Sequence, residues 1–164
     1  MAKKNSSNYL AGVAWVAHRL PMLQSPAWRS RSVPLMRILE RIEIEHLQHA
    51  GTANGNLLVS YGQLAEAGLS RKDITRSLKL GDALGLLRII QPNNKFGGQI
   101  RNPQAYRLTY LPVGNTPPTD EWHSVNQVTA DAALSRYKAG RQKAGTKRPR
   151  PSPPVSKNAS PVPQ

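Results

Sequence analysis

The chain has 164 residues, 14 of them Pro, no Cys and a formal net charge of +14. That length is one domain's worth, and with 5% aromatic residues the compact part should be roughly 80 residues, a size that can just fold alone. Without Cys there is no disulfide, no cysteine zinc site and no thiol chemistry. No apolar run approaches the ~20 residues that span a bilayer, and no membrane partner is expected.

The charge is unevenly placed. Residues 1–33 carry five Lys or Arg and no acid, and residues 34–112 carry ten bases and six acids. Residues 113–131 hold three acids and no base, and residues 132–164 hold eight bases and no acid. A basic excess of this kind raises both the on-rate and the affinity for polyanions. Nucleic acid is the leading expected partner on charge, ahead of an anionic membrane and of simple solubility, and the element order below narrows it to double-stranded DNA.

Taken in chain order, Met1–Asn8 is polar. Lys3 and Lys4 ahead of Tyr9–Ala17 loosely imitate a secretory signal. Ser6, Ser7 and Asn8 separate those charges from the run, and His18 and Arg19 end it early. The better reading is a short amphipathic helix over Tyr9–Leu20, with Leu10, Val13, Ala17 and Leu20 at helical spacing. Residues 1–24 are then a flexible N-terminal arm. Pro21 and Pro26 limit helix on either side, and Trp28 is an anchor onto the core.

Residues 25–112 read as one domain. Ser32 is an N-cap with Pro34 in the first turn, and Leu35, Ile38, Leu39 and Ile42 recur at i, i+3, i+4 and i+7. That predicts a helix to about His49, stopped by Gly51. Asn54-Gly55 marks a turn and Leu57–Val59 a short strand. Ser60 caps a helix over Tyr61–Ala67, with Gly68 after it. Ser70 caps a third over Arg71–Leu84, with Gly85 after it. Two capped helices one tight turn apart have the layout of a helix-turn-helix. Leu86–Ile90 reads as a strand and Pro92–Asn102 as a flexible loop. Ala105–Leu111 alternates, with Tyr106, Leu108 and Tyr110 on one face. The expected fold class is mainly α with a small β-hairpin: a winged helix-turn-helix with a three-helix core and a wing, flanked by disordered ends. Residues 113–138 read as a linker opened by Pro117-Pro118, with a weak helix over Asp120–Tyr137 whose apolar content is Val125, Val128, Ala132 and Leu134. Residues 139–164 read as a disordered, basic, Pro-rich tail.

The third helix carries the functional expectation. With Ile74 at zero on a helical wheel, Leu78 and Gly81 fall within about 40° and face the core. Gly81, lacking a side chain, permits close packing there. Lys72, Thr75, Arg76, Lys79 and Ala83 fall on the opposite side, centred near about 150°. A helix in the major groove must present donors to base edges and phosphates, and this face does so without an acid. Lys95, Gln99 and Arg101 on the wing are placed for phosphates or an adjacent minor groove, with Lys95 and Arg101 as the expected contacts. Ser60 and Tyr61 sit where the first helix of such a motif meets the DNA backbone. Arg136, Lys138, Arg141, Lys143, Lys147, Arg148 and Arg150 add attraction that is independent of sequence and falls with salt.

Enzymatic readings find little support. His46 and His49 lie on the apolar side of their helix and read as capping the core or favouring the C-terminal dipole, not as metal ligands. Asp120-Glu121-Trp122-His123 places an acid beside a His, but nearness in sequence is not a dyad. No phosphate-binding loop, dinucleotide fingerprint or nucleophile elbow is present. No cofactor, metal or catalytic residue is expected.

Several runs together resemble a family. They are Ser25-Pro-Ala-Trp-Arg, Arg41-Ile-Glu-Ile-Glu-His46, Asn54-Gly55, Val59-Ser-Tyr61, Ala83-Leu-Gly-Leu86, Tyr106-Arg-Leu-Thr-Tyr110-Leu-Pro112 and Thr119-Asp-Glu-Trp122. As a set, over about Ser25–Trp122, they are similar to a largely uncharacterised group of winged helix-turn-helix proteins common in alphaproteobacteria. The resemblance implies a winged helix, DNA binding by analogy, and a bacterial, cytoplasmic, nucleoid-associated setting. This chain departs from that pattern in the reading helix and in the wing at Asn93–Asn102. The leading expectation is a sequence-specific transcriptional regulator. The alternatives are a plasmid or mobile-element replication or partition protein, and a winged-helix protein-interaction module. A two-fold operator would imply a homodimer.

Overall fold

The computed structural model describes residues 14–90 and 104–145, with side chains to residue 140. The element order is α1 (Leu20–Gln24), α2 (Pro26–Arg29), α3 (Val33–Gln48), β1 (Leu57–Val59), α4 (Tyr61–Glu66), α5 (Arg71–Ala83), β2 (Leu87–Ile90), β3 (Gln104–Leu108) and α6 (Gln127–Gly145). A single 3-10 turn, Glu121–Ser124, precedes α6. The fold is therefore mostly helical with one small antiparallel sheet of strand order β1-β3-β2.

The serines expected as caps perform that role. Ser32 accepts from the Leu35 amide at 3.3 Å and Ser70 from the Asp73 amide at 3.2 Å. Ser60 forms a reciprocal box: its hydroxyl accepts from the Gln63 amide at 3.2 Å, and its own amide donates to the Gln63 side chain at 2.8 Å. Each cap satisfies amides that a helix start leaves open, typically worth about 1 kcal/mol.

The core lies between the helices and the inner face of the sheet. Leu35, Ile38 and Ile42 of α3, Ile74 and Leu78 of α5, and Leu57, Leu87, Tyr106 and Leu108 of the strands are all at most 1% exposed. Burying each aliphatic side chain is worth about 1.5–3 kcal/mol. α3 and α5 approach so closely that a Cβ on Gly81 would lie 2.8 Å from Leu35 Cδ1 and 2.9 Å from Leu87 Cδ2. Asn54 fastens the sheet from within. Its Nδ2 donates to the carbonyls of Leu108 and Leu111, both at 2.9 Å, and its Oδ1 accepts from the Leu108 amide at 2.8 Å.

Three regions differ from the expectation. The helix expected over Tyr9–Leu20 lies partly outside the described residues. Residues 14–19 are not helical, and α1 begins only at Leu20. A tertiary interaction holds this stretch instead: His18 meets Glu43 Oε1 at 2.7 Å and packs edge-on against Trp28 and Tyr110. Trp28 is an anchor, buried in α2 with Arg31 stacked 3.4 Å over its ring. Second, the segment expected as a linker over residues 113–138 packs on the core from Trp122 onward, while residues 113–117 are exposed. Trp122, Ala130, Ala133 and Tyr137 join the same buried cluster as α3 and α5. Third, α6 runs past Tyr137 to Gly145, into the stretch expected as tail. Residues 146–164 lie outside the described residues.

Candidate nucleic-acid interface

α4 and α5 are joined by the turn Ala67–Ser70, which ends on the Ser70 cap. The core side of α5 is as the wheel requires, with Ile74, Leu78 and Gly81 buried. Ser77 and Leu80 are buried as well, so the covered arc is wider than the core alone demands.

α6 accounts for the extra arc. The backbone of Glu121 and Trp122 lies against Gly85 at the C-terminal end of α5, and Gly140 lies against Arg76, nearer its N-terminal end. α6 therefore runs antiparallel along one flank of α5. Its Ala130, Ala133 and Tyr137 turn inward at i, i+3 and i+7. The two helices leave a groove of about 270 Å³ between them, lined by Arg76, Lys79, Leu80, Ala83, Arg136 and Tyr137 among others.

This neighbour changes the role of Arg76. Its Nη1 donates to the Gly140 carbonyl at 2.5 Å, its Nη2 pairs with Asp73 at 3.0 Å, and its Nε donates to the Lys72 carbonyl at 3.1 Å. The side chain is 19% exposed. Arg76 thus ties α5 to α6 and lies at the margin of the open face. Lys72, Thr75 and Lys79 remain exposed, and Arg71, which the sequence reading did not single out, is exposed beside them. Among the described residues neither lysine nor Arg71 is in an ion pair. The exposed Arg136 of α6, which lines the groove with Arg76 and Lys79, extends the same cationic surface; Lys138 is exposed on the other flank of α6.

The residues expected from α4 are placed as follows. The Tyr61 hydroxyl lies 3.4 Å from the Thr75 hydroxyl, so the two helices present these groups side by side. The Ser60 hydroxyl is engaged in capping α4. Lys95, Gln99 and Arg101 lie outside the described residues.

A second charged cluster holds the segment after the sheet. Glu121 pairs with Arg107 at 2.7 Å and also with Arg88, which reaches Asp82 at 2.8 Å. These contacts raise the already high Arg88 pKa, the Asp82 hydrogen bond contributing most. Both arginines on the outer side of β2 and β3 are thereby neutralised and drop out as anion contacts. Asp120 accepts from Trp122 Nε1 at 3.0 Å and pairs with Arg19, and His123 stacks on Trp122, so the acid–His run has a structural use. His46 is buried at the end of α3, where desolvation lowers its pKa against a smaller opposing effect of Glu43. His49 is exposed, 3.2 Å from Glu45. Among the described residues no three His, Asp or Glu side chains are gathered to hold a metal, and no helix is long and apolar enough to cross a membrane.

No family model, curated protein or solved structure matches this chain.

Proposed function

We propose that this chain is a winged-helix protein that binds double-stranded DNA with α5, as a sequence-specific transcriptional regulator. The carrying observation is the open face of α5: Arg71, Lys72, Thr75 and Lys79 are exposed together, and the nearby Asp73 carboxylate is paired with Arg76. The order of elements, with β2 and β3 pairing as a hairpin after two capped helices, is compatible with a winged helix.

Size decides how such a complex is arranged. A helix with its side chains is about 10–12 Å across and the major groove about 12 Å wide, so one helix fills it. α6, lying beside α5, stays outside. The N-terminal half of α5 enters, bringing Arg71, Lys72 and Thr75 to base edges, which is the usual end for a reading helix. Arg136, which shares the groove with Lys79, then faces the flanking phosphates.

Selection from a duplex library made from genomic fragments, run at two salt concentrations, tests this reading. A regulator enriches a shared sequence and keeps that enrichment at the higher salt, while total binding falls. Uniform recovery at low salt and none at high salt would leave only non-specific attraction and overturn the regulatory role.

A further inference from the structure

The outer face of α3, opposite the core, combines aliphatic and charged exposure in one stripe. Val33 is 64% exposed and Ile44 42%, and Arg37 and Glu40 are exposed between them. The four positions follow i, i+4, i+7 and i+11, which places them within about 60° of one another on the helix. Met36, at 45% exposure, flanks the stripe. Among the described residues neither Arg37 nor Glu40 is in an ion pair, although they stand three apart on one face. The Arg37 guanidinium rests beside Gly68 at the α4–α5 turn, and among the described residues it has no hydrogen-bond acceptor.

We infer that this stripe is the contact surface for a second copy of the chain, with the two α3 helices antiparallel about a two-fold axis midway between Ile38 and Leu39. That axis is chosen by the residues themselves. It sets Val33 against Ile44 of the other copy, and Arg37 against Glu40 of the other copy, each contact occurring twice. Both pairs share the same midpoint, so one register satisfies the aliphatic and the ionic contacts at once. A two-fold contact must be self-complementary in this way. Shifting the axis to Glu40 would bring two carboxylates together; shifting it to Arg37 would bring two guanidinium groups together. Either is disfavoured. The stripe is narrow, so the dimer is weak and concentration-dependent. The surface lies on a different helix from the proposed DNA contacts, and the inference stands without them.

Sedimentation velocity of the full chain in the absence of DNA, over a concentration series, tests it. The wild-type chain should shift from monomer toward dimer as concentration rises. Arg37→Glu and Glu40→Arg, each alone, replace two attractions with two repulsions and should weaken the dimer by about tenfold or more. The double exchange Arg37→Glu with Glu40→Arg restores the pairing with signs reversed and should return the dimer to within about threefold of wild type. Both positions are exposed, and unchanged thermal midpoints verify that the fold persists. A chain that stays monomeric throughout, a dimer indifferent to the single reversals, or a double exchange that fails to restore it would each overturn the inference.

Discussion

Replacing Gly85 by Ala asks whether the Glu121–Trp122 segment is a fixed part of the core. Gly85 has φ +63°, and a Cβ there would lie 2.8 Å from the Glu121 carbonyl carbon and 2.9 Å from both the Glu121 oxygen and the Trp122 nitrogen. Those are backbone atoms and cannot rotate aside. The left-handed conformation costs an L-residue about 1–2 kcal/mol, and forcing an extra carbon into a filled site costs about 1–3 kcal/mol. Gly85→Ala should therefore lose about 2–5 kcal/mol, a large share of the stability of a small domain. Gly114 is the control. Its φ is +55°, but a Cβ there would meet nothing within 4 Å, so Gly114→Ala should lose only the backbone part, about 1–2 kcal/mol. Gly85→Asn tolerates this backbone conformation better but adds atoms beyond Cβ to the same filled site, so it too should cost more than Gly114→Ala. Urea unfolding followed by tryptophan fluorescence measures all three. If Gly85→Ala is no more costly than Gly114→Ala, the segment does not press on α5 as described.

The other predictions concern buried polar groups. Asn54→Ala removes the partner of the Leu108 amide and of the Leu108 and Leu111 carbonyls, and should cost about 2–4 kcal/mol in the same unfolding assay. A loss under about 1 kcal/mol would mean that water replaces the side chain. For His46, burial holds the imidazole pKa below its ordinary 6.5. Its Nδ1 is buried without a hydrogen-bond partner among the described residues. The unfolded chain then takes up the proton at a higher pH than the folded one, so this contribution is intact above pH 6.5 and declines as pH falls through that value. His46→Leu should flatten that part of the thermal midpoint against pH; an unaltered slope would contradict the assignment.

The central elements are legible because their ends carry chemistry. Ser32, Ser60 and Ser70 name three helix starts, and the Ile74, Leu78, Gly81 side of α5 follows from local spacing alone. α6 is harder to see. Its buried face is Ala130, Ala133 and Tyr137, while its most apolar exposed residue, Val128, points to solvent at 77% exposure. The contrast between faces is too small for periodicity to reveal. Trp122 is disguised by Pro117-Pro118 and by its acidic neighbours. Glu121 anchors the segment through Arg88 and Arg107, distant partners that no local pattern discloses. Arg76 illustrates the consequence for the site. A wheel drawn on α5 alone groups it with Lys72 and Lys79; the flank of α6 draws it toward Gly140 and leaves Arg71 to complete the open face.

The most direct test of duplex binding by that face is a titration of the selected DNA across a salt series, comparing the Lys72→Ala, Lys79→Ala double variant with Arg76→Ala. The double variant should keep its thermal midpoint, lose tenfold or more in affinity, and lower the slope of log affinity against log salt, since each Lys brings one positive charge into the duplex whether it meets a base edge or a phosphate. Arg76→Ala should lose less affinity and more stability, since its guanidinium is engaged by Asp73 and Gly140. Affinity and salt slope unchanged in a folded double variant would contradict the account.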